Sequence, residues 1–318
     1  MIIVVGEALL DLVADDDRTR FTAHPGGSPA NVAVGLSRLD LPVTLATQLS
    51  DDIAGRLVHD HLTRSGVRID VLAGTAEGAR TSLALAAVDS YGVATYDFRI
   101  TWDIATVPGL DPLCVCLHTG SIAAALAPGA GLLDELLATR PGVTVSYDPN
   151  IRPSLLGAPE AERVRVESQV GLSDVVKVSS EDLAWLYPGE PVIAVAARWL
   201  ATGPALVVVT LGPDGAYAVN RVAEVRRPAL SVTVADTVGA GDAFTAGLLD
   251  GLYRADLLGK SNRDRLSGMD QKALADLLDL ASRVAGLTCA RPGADPPNRS
   301  VLDSAPVDPP EPRPVEVL

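Results

Sequence analysis

Asp236-Thr237-Val238-Gly239-Ala240-Gly241-Asp242-Ala243-Phe244 is the stretch on which the reading of this chain turns. Two glycines flank an alanine, an acid follows, and Phe244 to Leu252 continues as an apolar helical run. Such a turn bares backbone N–H groups at a helix start, where an anion is favoured. An acid beside a phosphate is costly unless it acts there, and taking a proton from an attacking hydroxyl is one such act. The plainer reading is that Asp242 only occupies the first helical turn, where negative charge suits the helix dipole. The stretch alone leaves both open.

Composition narrows the setting. The chain has 318 residues, 47% of them hydrophobic, and a net charge of -14. It can build a sizeable core, and it lacks the basic face that sequence-independent nucleic-acid binding requires. A phosphate-bearing ligand must then be held by helix ends, a metal or a few arginines, not by the global field. Lysine occurs only at Lys177, Lys260 and Lys272, and Gly259-Lys260-Ser261 lacks the upstream glycine of a phosphate-binding P-loop. No Gly-x-Gly-x-x-Gly follows a strand, which removes the dinucleotide fingerprint. Cys114, Cys116 and Cys289 read as free thiols, not as a disulfide framework or a metal site. With no signal peptide or membrane-spanning run in view, the expected location is cytoplasmic.

Outward from the opening stretch, the chain alternates strands and helices, which predicts a mainly parallel sheet covered on both faces. Ile2–Val5 reads as a buried strand ending at Gly6-Glu7, with Asp11 just beyond, where open α/β sheets place ligands. Gly26-Gly27-Ser28-Pro29-Ala30-Asn31 reads as a helix start, with Ser28 as the cap and Asn31 in the first turn. A cap needs one glycine at most, so the pair plus Asn31 points to a ligand. Between Thr81 and Ile100 the rhythm changes to two strands with a turn at 89–92, an antiparallel hairpin. With part of 12–24 it would form a lid over Asp11 and Asn31, making Phe98, Arg99 and Trp102 candidates for substrate or subunit contact; core packing is the plain reading of the two aromatics. Lys260–Met269 reads as a linker, and beyond Asn298 the proline-rich end is expected to be extended.

These stretches together resemble the ribokinase-like (PfkB) carbohydrate kinases over nearly the whole chain, from Gly6-Glu7 to Gly293. Asp236 to Asp242 matches the family's C-terminal signature, and Gly26 to Asn31 begins its N-terminal one. Gly6 to Asp11 and Tyr147-Asp148-Pro149-Asn150-Ile151-Arg152-Pro153 are most similar to fructokinases. The resemblance implies an α/β, ribokinase-like three-layer sandwich over 1–298, with a lid from about 12–24 and 81–100 and a tail over 299–318. It implies an ATP-dependent sugar kinase, fructose to fructose 6-phosphate first, with 2-keto-3-deoxygluconate, ribose or a nucleoside, or a non-catalytic regulator, as alternatives.

By the same resemblance, Asp242 is the general base, and the amides of Gly239, Ala240 and Gly241 form the anion hole. Asp11, Gly27 and Asn31 hold sugar hydroxyls. Read from the residues themselves, Arg99 is a substrate candidate through the lid, and the planar fork of Arg152 suits the β- and γ-phosphates or the substrate. For Arg152 the alternative is a bridge to an acid such as Asp148; for Lys177, beside the phosphates, it is a surface lysine. Thr210, Gly212 and Gly215 line the nucleotide site. Ser179-Ser180-Glu181-Asp182 stands where many relatives carry Asn-x-x-Glu, so Ser179 is a shorter substitute and Asp182 orients Mg2+ through water. Asp236 marks a loop where a K+ ion would bind, and the lid is the expected surface of a homodimer. No nucleic acid or membrane partner is expected.

Overall fold

The computed structural model describes residues 1–15, 19–76, 78–88, 94–139 and 142–305. In chain order the N-terminal half runs β1 (Ile2–Val5), β2 (Leu9–Ala14), β3 (Phe21–Gly26), α1 (Ser28–Arg38), β4 (Val43–Thr47), α2 (Ile53–Arg64), β5 (Arg68–Val71), β6 (Ser82–Val88), β7 (Ala94–Arg99), β8 (Cys116–Gly120), α3 (Gly129–Ala138) and β9 (Thr144–Asp148). It continues through α4 (Pro159–Gly171), β10 (Val175–Ser179), α5 (Ser180–Leu186), α6 (Val192–Leu200), β11 (Leu206–Thr210), β12 (Ala216–Asn220), β13 (Glu224–Arg227), α7 (Ala240–Arg254), α8 (Arg263–Ser267), α9 (Gln271–Cys289) and α10 (Arg299–Ser304).

Nine strands form one sheet in the order β13-β12-β11-β10-β9-β8-β1-β4-β5, parallel from β5 to β11 and antiparallel at the β12–β13 end. The strands read as continuous apolar runs because both faces are covered. Ile2 and Val4 face a core with α1, α2, α7 and α9, whereas Ile3 and Val5 face α3. Farther along that second face, Val176, Val178, Val207 and Val209 pack on α4, α5 and α6. This is the expected three-layer sandwich. Its interior is full, so polar side chains that need room collect where the parallel strands end at their C-terminal edge.

A second sheet, in the order β3-β2-β6-β7, stands beside the first. Its pairs are antiparallel except β2–β6, which is parallel. The expected accessory sheet is therefore present; the turn at 89–92 lies outside the described residues. Asp11 is not just past a strand but inside β2, opposite His24 on β3 and Ala84 on β6.

Two expectations give way at the C-terminal end. The Lys260–Met269 linker contains a 3-10 turn at Lys260–Asn262 and then α8, whose Leu266 is fully buried. The extended tail expected from Asn298 begins instead as α10, capped by Asn298, whose side chain accepts from the Val301 amide. Arg299 bonds Asp250 Oδ2 at 2.6 Å, and Asp250 is wholly buried on α7. A desolvated carboxylate demands such a partner, so the tail's first turn is tied to the core; the prolines nearby hid it. Residues 306–318 lie outside the described residues. Among those described, no helix is long and apolar enough to cross a membrane.

Candidate active site

Helix α7 begins at the opening stretch. Gly239 is its N-cap with φ 74°, a left-handed conformation, and a side chain there would meet Ala294 at 2.6 Å. The Ala240 amide turns back to the Thr237 carbonyl at 3.2 Å, while Gly239 and Gly241 have no acceptor for their amides among the described residues. The helix start therefore presents N–H groups to whatever lies in front of it.

Asp242, in the first turn, is buried and fully clamped. Its Oδ1 accepts from the Ser28 hydroxyl at 2.6 Å and its Oδ2 from the Asn31 amide at 2.8 Å. Both donors sit on α1, which lies against α7 with Ala246 touching Gly35. Burial raises the Asp242 pKa, opposed by the Ser28 and Asn31 bonds and by the Lys177 charge. Ser28 is not the cap it resembles. Gly27, with φ 100°, takes that place, and a side chain on it would meet the Glu7 carbonyl oxygen at 2.6 Å. The chain thus enters the helix one residue early and the Ser28 hydroxyl is released toward Asp242.

Lys177 is no surface lysine. It is 4% exposed and pairs with Asp148 Oδ2 at 2.9 Å. Its Nζ lies 3.1 Å from where a Cβ on Gly241 would stand, so its charge abuts the amide turn. Burial works against that charge, but Asp148, joined by Asp242 and Asp182, outweighs it and the Lys177 pKa is raised. Asp148 also takes a long bond of 3.5 Å from Thr245 on α7, and its Oδ1 has no partner among the described residues. Next to this pair, Asp182 Oδ1 accepts from the Ile151 amide, and burial followed by the Asp148 charge lifts its pKa to about 6. Ser179 caps α5 by accepting from the Asp182 amide at 3.0 Å.

Asp11 is half-buried and its pKa is lifted to about 6 by burial, with His24 and Arg152 pulling the other way. Its carboxylate fills the space beside Gly26, 2.2 Å from where a Cβ would be. Arg152 does not bridge to Asp148. Its Nη1 donates to the Asn150 carbonyl and side chain and to the Ile151 carbonyl, and its charge acts on Glu7 and Asp11. Arg99 is not brought to this group. It stands opposite Leu83, which is opposite Leu10, whereas Asp11 shares its face with Ala84 and Phe98. Side chains alternate along a strand, so Arg99 belongs to the other face of the lid, near Asp97 at 3.9 Å. Trp102 is buried in the core, as its plain reading had it.

One strand beyond Ser179, its pairing partner Thr210 ends β11 and Gly212–Asp214 forms a 3-10 turn closed by Gly215. Asp236 spends Oδ1 on the Val238 amide and Oδ2 on the Gly293 amide, stitching the opening stretch to the turn after α9.

Three groups escaped the sequence reading: Ser28 as a partner of Asp242, Asp148 as a partner of Lys177, and Glu7. Glu7 is 2% exposed, accepts from the Ala123 amide through Oε2, and leaves Oε1 without a partner among the described residues. Burial lifts its pKa to about 7 from 4.5. The folded protein then binds a proton here that the unfolded chain has released, so stability from this group falls as pH rises from 4.5 to 7. We predict that Glu7→Gln, which keeps an acceptor for Ala123, stabilises the protein by roughly 1–3 kcal/mol at pH 8 and by almost nothing at pH 4.5. Urea unfolding at both pH values checks this; an equal gain at both would show that the carboxyl is not the cause.

The chain is similar in sequence and fold to known proteins. A fructokinase from Rhizobium leguminosarum bv. trifolii is 34% identical over 284 residues, covering 86% of this chain and 85% of that protein. The crystal structure of a fructokinase with bound ATP from Xylella fastidiosa superposes with a TM-score of 0.80 at 28% identity, covering 95% of this chain and 97% of the other. A fructokinase from Vibrio cholerae O395 in a fructose-, ADP- and calcium-bound form gives 0.77 at 28% identity with the same coverage. A three-layer fold with a small second sheet beside it is thus the framework of a sugar kinase. The chain belongs to the pfkB family of carbohydrate kinases, whose model matches residues 1–300.

Proposed function

We propose that the protein transfers the γ-phosphate of ATP to a primary hydroxyl of a free sugar, with fructose giving fructose 6-phosphate. The observation that carries this is Asp242, a buried carboxylate fixed by two donors beside free amides and a buried lysine. Asp242 takes the proton of the attacking hydroxyl, and its raised pKa makes it a better base at neutral pH than an ordinary carboxylate. The Gly239 and Gly241 amides, with Ala240 at the turn, meet charge on the moving phosphoryl, joined by the Lys177 ammonium; phosphoryl transfer depends mainly on such positioning and electrostatics. Asp11, Gly27 and Asn31 take sugar hydroxyls, and Arg152 lies on the sugar side, beside Asp11 and Glu7. The nucleotide runs past Ser179, Thr210, Gly212 and Gly215.

The donor set suits Mg2+. An unpartnered Asp148 oxygen and Asp182 are two carboxylates of the kind that hold this ion through its waters while phosphates supply the rest. When bound, the ion would neutralise charge on the β- and γ-phosphate oxygens. Asp236 and the carbonyls around it are our candidate K+ loop. For assembly, β3 is an edge strand of the lid with Phe21 exposed, and we propose pairing of two lids there.

The fructose relatives support fructose as the first substrate. ATP turnover across fructose, ribose, 2-keto-3-deoxygluconate, glucose and adenosine tests this, with fructose expected to give the highest kcat/KM. A different sugar in that place would replace the substrate, and turnover of none would sink the kinase reading.

A further inference from the structure

Ser28 has a buried hydroxyl that performs none of the usual tasks of a serine at a helix start. No side chain caps α1, because Gly27 occupies the cap position. Instead the hydroxyl crosses to another helix and donates to Asp242 Oδ1 at 2.6 Å, the length of a charge-assisted O–H···O⁻ bond. A carboxylate on a single donor can still rotate about its Cβ–Cγ bond. Here Ser28 holds one oxygen and Asn31 the other, which fixes the plane. A carboxylate offers about four acceptor positions, so two remain for an incoming hydroxyl.

We propose that Ser28 is a positioning residue for phosphoryl transfer, locking the Asp242 carboxylate in the orientation from which it receives the proton of the sugar hydroxyl. This rests on the reading of Asp242 as the base. The groups acting on Asp242 from the packed elements are Asn31 and Ser28 on α1, Lys177 on β10 and Asp148 at the end of β9. Only Lys177 and Asp148 are charged, and neither bonds Ser28. Removing the hydroxyl therefore alters the orientation and proton affinity of Asp242 without altering the surrounding charge.

The test compares Ser28→Ala, Ser28→Cys and Ser28→Thr in the full chain, measuring sugar KM, kcat, the pH profile of kcat/KM and the thermal midpoint. For Ser28→Ala we expect kcat to fall roughly tenfold or more with sugar KM within about threefold, because the pocket is intact. The acid limb should move up by about one pH unit, since a donor to the charged form is lost. Ser28→Cys, a weak donor of similar size, should move the limb the same way, and Ser28→Thr should bring it back. An acid limb unmoved in both Ser28→Ala and Ser28→Cys would overturn the proposal and leave Ser28 as a fastening between α1 and α7. Failure of the underlying reading is told apart by Asp242→Asn: if that variant keeps its turnover, the base assignment falls whatever Ser28 does.

Discussion

Asp242→Asn leaves sugar binding within about threefold and lowers kcat by roughly two to four orders of magnitude, the range a positioned general base contributes. The geometry predicts a clean separation of binding from chemistry. Asparagine has the same shape, and its oxygen can still accept from Ser28. Its new amide meets the Asn31 amide, but a half-turn of Asn31 presents an oxygen instead, so the clamp survives with its roles reversed. The fold should gain from the change. Asp242 is buried and its pKa is raised by desolvation, so above the ordinary carboxylate range its charge costs the folded state stability, and a neutral amide removes that cost. The expected variant is thus inert and, at pH 8, at least as heat-stable as the parent, measured by turnover, sugar binding and the thermal midpoint. A kcat within tenfold of the parent would reduce Asp242 to a fastening between α1 and α7.

The opening stretch carried so much information because its constraints are local. A left-handed Gly239 and a helix start that bares its amides follow from residue types in order, and the alternation of apolar strands and helices follows from periodicity. What escaped depends on contacts distant in sequence. Ser28 before Pro29 satisfies every local rule for a cap, and only the crowding of Gly27 against the Glu7 carbonyl shifts the helix start by one residue. Arg99 looked suitable because it lies in a lid strand, but a one-residue step in register sends a side chain to the opposite face. Lys177 sits in an apolar strand, where a lysine would be intolerable alone; its tolerance comes from Asp148, 29 residues away on the neighbouring strand. Arg299 and Asp250 repeat the lesson at the tail, where a proline-rich stretch turned out to be anchored by one buried acid.

The Lys177–Asp148 pair yields the second large effect, in which stability and rate move apart. Lys177→Met leaves Asp148 buried at 2% exposure with, among the described residues, one oxygen unpartnered and the other held only by the 3.5 Å contact from Thr245. Breaking a buried ion pair from one side costs about 3–5 kcal/mol, because the remaining charge is neither solvated nor paired. Replacing both members, as in Lys177→Met with Asp148→Leu, should return most of that stability, since an apolar pair of similar volume avoids the desolvation of two charges. Activity should not return with it. The ammonium abuts the Gly241 turn, where it would meet the transferred phosphoryl, and losing one donor of such a site costs about 100- to 1000-fold in kcat. Urea unfolding and ATP turnover on the single and double variants decide the matter. A double variant that regained both would reduce the pair to a structural strut between β9 and β10. One that regained stability alone would show that this chain tolerates a costly buried pair for what its two members do in the site, Lys177 at the helix start of α7 and Asp148 on the side proposed for the metal.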